Sequence, residues 1–154
     1  MSSKLIDQYA AGPAQLRQAV AGMTREQLLA RPVAGKWSTL ELVAHIADFE
    51  PVYVDRMKRI IAQHEPTLFG GDPDLFASKL AYHDRDIEEE LALIEACRKQ
   101  MTRILRTLPP EAFERRCIHS ENGPMTLEKI LTNIGNHIPH HLPFLQEKRK
   151  ALGL

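Results

Sequence analysis

The sequence predicts an all-α fold, a four-helix bundle. Three observations predict it. Four long stretches carry apolar residues at spacings of three and four, three of them are bounded by capping or breaking signals, and no segment reads as a convincing strand. The 154 residues fit a single domain, 1–154, with one respectable core.

The first helix is expected from about Lys4 to Ala21, on Leu5, Tyr9, Leu16 and Val20, with Pro13 as a kink. Thr24 and Gln27 then have the spacing of a short capped turn, and Pro32 and Gly35 mark a loop. Ser38 and Glu41 form an S-x-x-E capping box at the start of the second helix, with Trp37 placed to staple onto Leu42. Its stripe runs Leu42, His45, Ile46, Phe49, Val52, Tyr53, Met57 and Ile60, to about His64, with Pro51 inside it. Residues 65–78 read as a long crossover loop between helices two and three, rich in Pro and Gly yet carrying Leu68, Phe69 and Phe76. Such apolar residues suit the cover of a bundle end or a pocket wall.

The third helix is expected from about Lys79 to Thr107 on Leu80, Ile87, Leu91, Ile94, Cys97, Met101, Ile104 and Leu108. Asp84, Arg85, Glu88, Glu89, Glu90, Arg98, Lys99 and Arg103 fall on its other faces and read as solvated, and Pro109-Pro110 ends it. Asn122-Gly123 is a turn signal beside a short extended RRCIHS piece. Thr126 caps the fourth helix, which runs to about Ala151 before Gly153. Patterning alone leaves the order of neighbours open.

The composition excludes several classes of function. Lys plus Arg equals Asp plus Glu at 20 each, so the chain lacks the basic excess of a general nucleic-acid binder. No run of about 20 apolar residues is present, so no membrane partner is expected. The stretch MSSKLIDQYA lacks the apolar core of a signal peptide, and the two cysteines, Cys97 and Cys117, have no paired spacing. A cytoplasmic location is the expectation.

Chemistry concentrates in NIGNHIPHHLPFL, residues 133–145. His137 and His141 are one helical turn apart, so both imidazoles point the same way from the stripe of Leu127, Ile130, Ile134 and Phe144. An i, i+4 histidine pair is half of a metal site, and His45 on the second helix's stripe offers a third ligand. Imidazoles aimed into a bundle need partners for their nitrogens, and a divalent cation supplies one. The alternative is a set of buried, hydrogen-bonded histidines in a ligand-binding or interaction module. His64, His83 and His119 read as surface or capping residues, whereas His140 flanks the stripe. Pro139 and Pro143 deprive the carbonyls of Gly135 and Pro139 of their helical donors, so the fourth helix is expected to bend at the ligands.

Trp37, Ser38, Glu41, His45 and Asp48, followed by His137, His140 and His141, together resemble the DinB-like (DinB/YfiT-like) four-helix-bundle family. The resemblance spans nearly the whole chain. It implies an up-down-down-up bundle and a divalent metal, zinc or nickel, held by His45, His137 and His141. It also implies a homodimer and chemistry on small molecules. Relatives include S-transferases that use low-molecular-weight thiols, a mycothiol-dependent isomerase and hydrolases. This sequence departs from the pattern at one point. Phe144 stands three residues after the last histidine, where the family often has Gln, and Gln146 comes two later.

Three neutral imidazoles leave a divalent ion its full charge and an open position, the pattern of catalytic rather than structural sites. The expected function is therefore a metal-dependent enzyme on a small-molecule substrate, with thiol transfer from a low-molecular-weight thiol cosubstrate ahead of hydrolysis. Asp48 is the candidate to receive the free N–H of His45 or to act as general base, and His140 the candidate substrate contact. Asn133, Asn136 and Tyr53 are further candidates, and Cys97 a conceivable fourth ligand that would close the site.

Overall fold

A computed structural model describes residues 2–154. Four long helices make up the bundle, α1 (Ser2–Val20), α3 (Thr39–Ala62), α5 (Ile87–Leu105) and α6 (Leu127–Ala151). Two short helices, α2 (Arg25–Leu29) and α4 (Pro73–Lys79), and three short strands, β1 (Thr67–Leu68), β2 (Arg116–His119) and β3 (Gly123–Thr126), lie in the connections. α1 packs on α6 and α5, and α3 packs on α5 and α6.

The helix starts follow local chemistry. Thr24 and Ser38 both form complete capping boxes. The Ser38 hydroxyl accepts from the Glu41 amide at 3.1 Å, and the Glu41 carboxylate accepts from the Ser38 amide at 2.7 Å. Thr126 caps α6, and Gly153 just past its end takes a φ of 76°, the left-handed conformation a glycine adopts without penalty.

The third long helix is shorter than the apolar spacing predicts. Instead of running from Lys79, the chain turns through a left-handed Ala81 and a single 3₁₀ turn at Tyr82–Asp84, and α5 begins only at Ile87. Asp86 starts it by accepting from the Glu88 and Glu89 amides at 2.9 and 3.1 Å. The crossover also contains α4, where Asp72 is the cap and Pro73 occupies the first turn. Similarly, RRCIHS forms β2, hairpin-paired to β3 through Asn122-Gly123 and parallel to β1. Arg115 ties this sheet to the end of α3 by donating to the carbonyls of Ile60 and Gln63, each at 2.7 Å. His119 is buried and its Nδ1 accepts from the amides of Glu121 and Asn122, a turn cap.

The core falls into two clusters. One gathers Tyr9, Met57, Met101, Leu127 and Ile134, the other Leu16, Leu42, Ile46, Ile94 and Ile138. At the level between them lies Arg98, which the helical pattern assigned to solvent and which is 1% exposed. It donates to Glu50 Oε1 through Nε at 2.8 Å and Nη2 at 2.5 Å, to the Tyr9 carbonyl at 2.8 Å and to the Ile134 carbonyl at 3.0 Å. The Tyr9 carbonyl is vacant because Pro13, four residues on, has no N–H to give it. Gly12 leaves the guanidinium its room, since a Cβ there would collide with Arg98 Nη1. Gly12→Ala is therefore expected to lower stability by about 1–3 kcal/mol, because Arg98 is held from three sides and cannot yield. A thermal melt checks this, and an unchanged midpoint would contradict it. Arg85 and Glu90 are also withdrawn from the solvated face and pair with each other at 3.0 Å.

Candidate metal centre

α3 and α6 place the three histidines. His45 lies two turns into α3, and His137 and His141 lie one turn apart on α6. One candidate ligand atom from each residue can be chosen such that all lie within 4.8 Å of one another. The Nε2 atoms of His45 and His137 face each other at 3.0 Å, close to the about 3.3 Å edge of a tetrahedral nitrogen shell around a zinc-sized ion. The ring centroids are 4.9 Å apart for His45–His137, 5.1 Å for His45–His141 and 4.8 Å for His137–His141.

The surroundings are aromatic. Trp37 and Phe49 lie 5.3 and 5.1 Å from the His45 ring, and Phe76 from α4 stacks on Phe49 at 5.2 Å. The crossover reaches this close at Gly71, where a Cβ would stand 3.2 Å from the Phe49 ring. Desolvation by these walls lowers the pKa of His45 to about 4, of His137 to about 2 and of His141 to about 4. The neighbouring imidazoles add to the last two, while Asp48 and Asp74 pull His45 back upward. All three are thus neutral at pH 7, the protonation state in which an imidazole ligates.

The Nδ1 atoms of His45, His137 and His141 are all buried without a hydrogen-bond partner. Each imidazole therefore has a covered nitrogen that the protein leaves unsatisfied, while the Nε2 atoms of His45 and His137 lie within hydrogen-bond distance of each other. Packing alone does not require ring nitrogens from two helices to converge on one point, and three imidazoles so placed form a ligand set. The arrangement fits a cation shared by the three rings.

Asp48, Asn136, Tyr53 and Cys97 are each engaged elsewhere than expected. Asp48 is not bonded to His45. Its carboxylate takes both ends of Arg85, at 2.5 and 3.0 Å, and Arg85 also reaches Glu90 at 3.0 Å and the Leu80 carbonyl. The strong guanidinium–carboxylate fork outcompetes a neutral imidazole N–H. Asn136 accepts from Gln8 at 2.7 Å, and Tyr53 lies under Arg56 against the Met57 cluster. Cys97 is half-buried and packs on the Tyr9 cluster, outside the histidine group. His140 is exposed and flanks the centre, its ring 5.0 Å from His141 and 5.6 Å from Phe144. Gln146 is exposed on another part of α6. Sequence reasoning missed Arg85. Its only signal was a position just before the Asp86 cap.

The DinB superfamily model matches residues 8–145, nearly the whole bundle. The chain belongs to the DinB superfamily. Within that family it is similar to "Putative metal-dependent hydrolase OB0782" of Oceanobacillus iheyensis, 31% identical over 140 residues that cover 90% of this chain and 81% of the relative. It is also similar to "Putative metal-dependent hydrolase YfiT" of Bacillus subtilis, 29% identical over 142 residues covering 92% of this chain and 80% of the relative. The solved structure of YfiT superposes with a TM-score of 0.91 at 28% identity, covering 99% of this chain and 87% of that one. That protein is described as a probable metal-dependent hydrolase with an unusual four-helix bundle topology. Among the described residues of this DinB-superfamily chain, no helix is long and apolar enough to cross a membrane.

Proposed function

We propose that this chain is a divalent-metal-dependent enzyme acting on a small molecule, with zinc or nickel held by His45, His137 and His141. The observation that carries the reading is the convergence of three neutral imidazoles from α3 and α6, with candidate ligand atoms all within 4.8 Å of one another. A divalent ion held by these residues would supply Lewis acidity that lowers the pKa of a water or thiol substrate towards neutrality.

The chain's own residues define what else the site does. Trp37, Phe49 and Phe76 exclude water from one side of the imidazoles and keep them uncharged. His140, exposed beside His141, is the group placed to exchange a proton with a substrate. Asp48 braces α3 against the crossover through Arg85 rather than acting as a base. Hydrolysis, with water as nucleophile, is supported by the names of the similar proteins from Oceanobacillus and Bacillus. Thiol transfer to an electrophile is the second reading, and the Asp48–Arg85 pair favours it. With the nearest acid engaged, a nucleophile that ionises at the centre without a general base suits the site better.

The reading includes an up-down-down-up course of the long helices. Lys58–Gln100 and Glu50–Arg98 support a parallel α3 and α5, and Arg17–Glu95 with Asp7–Arg106 an antiparallel α1 and α5. It also includes a homodimer, for which exposed Phe69 and Leu75 on the crossover offer apolar surface.

Elemental analysis of untagged protein beside His45→Ala and His137→Ala variants tests the centre. Near-stoichiometric metal in the parent, lost in both variants, is expected. No metal after reconstitution with zinc and nickel at neutral pH, with the fold intact, would overturn it. The loaded protein, assayed against activated esters and against a thiol panel with simple electrophiles, then separates the two chemistries.

A further inference from the structure

A groove of about 720 Å³ runs between α1 and α5. That volume is in the range of small-molecule sites. Ala10, Pro13 and Ala14 from α1 and Thr102 from α5 make a floor of small and apolar groups. From Glu95 to Arg103 the α5 wall is nine residues long, about 12 Å at the helical rise. The Thr102 hydroxyl is covered yet has no hydrogen-bond partner among the described residues.

The charge along this groove is one-sided. Arg17 is tied to Glu88 and Glu95, Arg106 to Asp7, and Arg98 to Glu50. Lys99 and Arg103 remain, one turn apart on α5, exposed and without an ion-pair partner among the described residues. In a chain of zero net charge this is a local cationic excess. A second copy pairing through the same face would offer these cations only one acid from the groove, Glu95, which Arg17 already engages. Two unpaired cations are also too few for a nucleic-acid backbone.

We propose that the α1–α5 groove binds an amphipathic organic anion, a free alkyl carboxylate with its chain on the Ala10–Pro13–Ala14 floor and its head group at Lys99 and Arg103. The floor accounts for the apolar part of the ligand and the two cations for its charge. The groove lies on helices that contribute no histidine to the metal centre, so its occupancy is independent of the proposed chemistry.

Isothermal titration of the full chain with decanoate tests this, with decanol as the uncharged control. Saturable decanoate binding is expected, unaffected by His137→Ala. The Lys99→Glu/Arg103→Glu variant should weaken it about tenfold or more, the loss of a charge-assisted pair. Ala14→Phe, at an exposed position that fills the floor, should abolish it while circular dichroism stays unchanged. Equal binding of decanol, or parent-like binding by the charge-reversed variant, would overturn the proposal. So would a concentration-dependent dimer, seen by light scattering, that Ala14→Phe disrupts, because the groove would then belong to a second copy.

Discussion

Replacing Arg98 by methionine is expected to cost the fold about 3–5 kcal/mol, the penalty for leaving one member of a buried ion pair alone. Glu50 is fully buried, and its second oxygen, Oε2, already has no partner. Without the guanidinium, the carboxylate loses its counter-charge, and the Tyr9 and Ile134 carbonyls lose their donor. The loss should depend on pH in a defined direction. Burial raises the Glu50 pKa above its ordinary 4.5, and Arg98 is what opposes the rise. A carboxyl with a raised folded-state pKa contributes stability below its unfolded pKa and loses it as pH rises through the folded value. Arg98→Met should thus be more damaging at pH 8 than at pH 5. Adding Glu50→Leu should restore much of the stability, since an apolar pair of similar volume needs no counter-charge. Urea denaturation at the two pH values measures all of this, and a loss under about 1 kcal/mol at pH 8 would contradict the account.

The second large effect is acid sensitivity of the metal-free protein. His45, His137 and His141 titrate near 4, 2 and 4 in the folded chain, against 6.5 when unfolded. Between about pH 6 and 4 the unfolded state therefore holds protons that the folded state does not, and stability falls as pH falls. Each imidazole steepens the fall, by up to about 1.4 kcal/mol per pH unit for a fully desolvated group and by less for the more open His141. Against a typical domain stability of about 5–15 kcal/mol, unfolding should follow within a few units below pH 6. Zinc or nickel, binding the folded state alone, should move that transition to lower pH. Denaturant titrations from pH 7 to 4, with and without metal, test this. A flat profile without metal, or imidazole resonances titrating near 6.5, would remove the basis for three desolvated ligands.

Much of the site was legible because its signals are local. The Ser38–Glu41 box, the i, i+4 spacing of His137 and His141, and the position of His45 on an apolar stripe depend only on helical geometry. The same reasoning failed where a charge finds its partner on another element. Arg98, Arg85 and Glu90 looked solvated because helical periodicity registers only how residues share a face. It cannot register that Pro13 vacates a carbonyl on α1, that Gly12 opens space beside it, or that Glu50 stands opposite on α3. Asp48 was assigned to His45 for a related reason. The two are neighbours in sequence, whereas Arg85 arrives from the far end of a crossover whose course no local rule prescribes.

Spacing along single helices was enough to read four amphipathic helices, the Thr24, Ser38 and Thr126 caps and the three histidines, though not the true start of α5 at Ile87. The convergence of the imidazoles, their unsatisfied Nδ1 atoms and the engagement of Asp48 by Arg85 arise in the packed bundle. Those outcomes depend on which helices become neighbours and how the bundle buries their polar groups, and burial and pairing are properties of the packed chain.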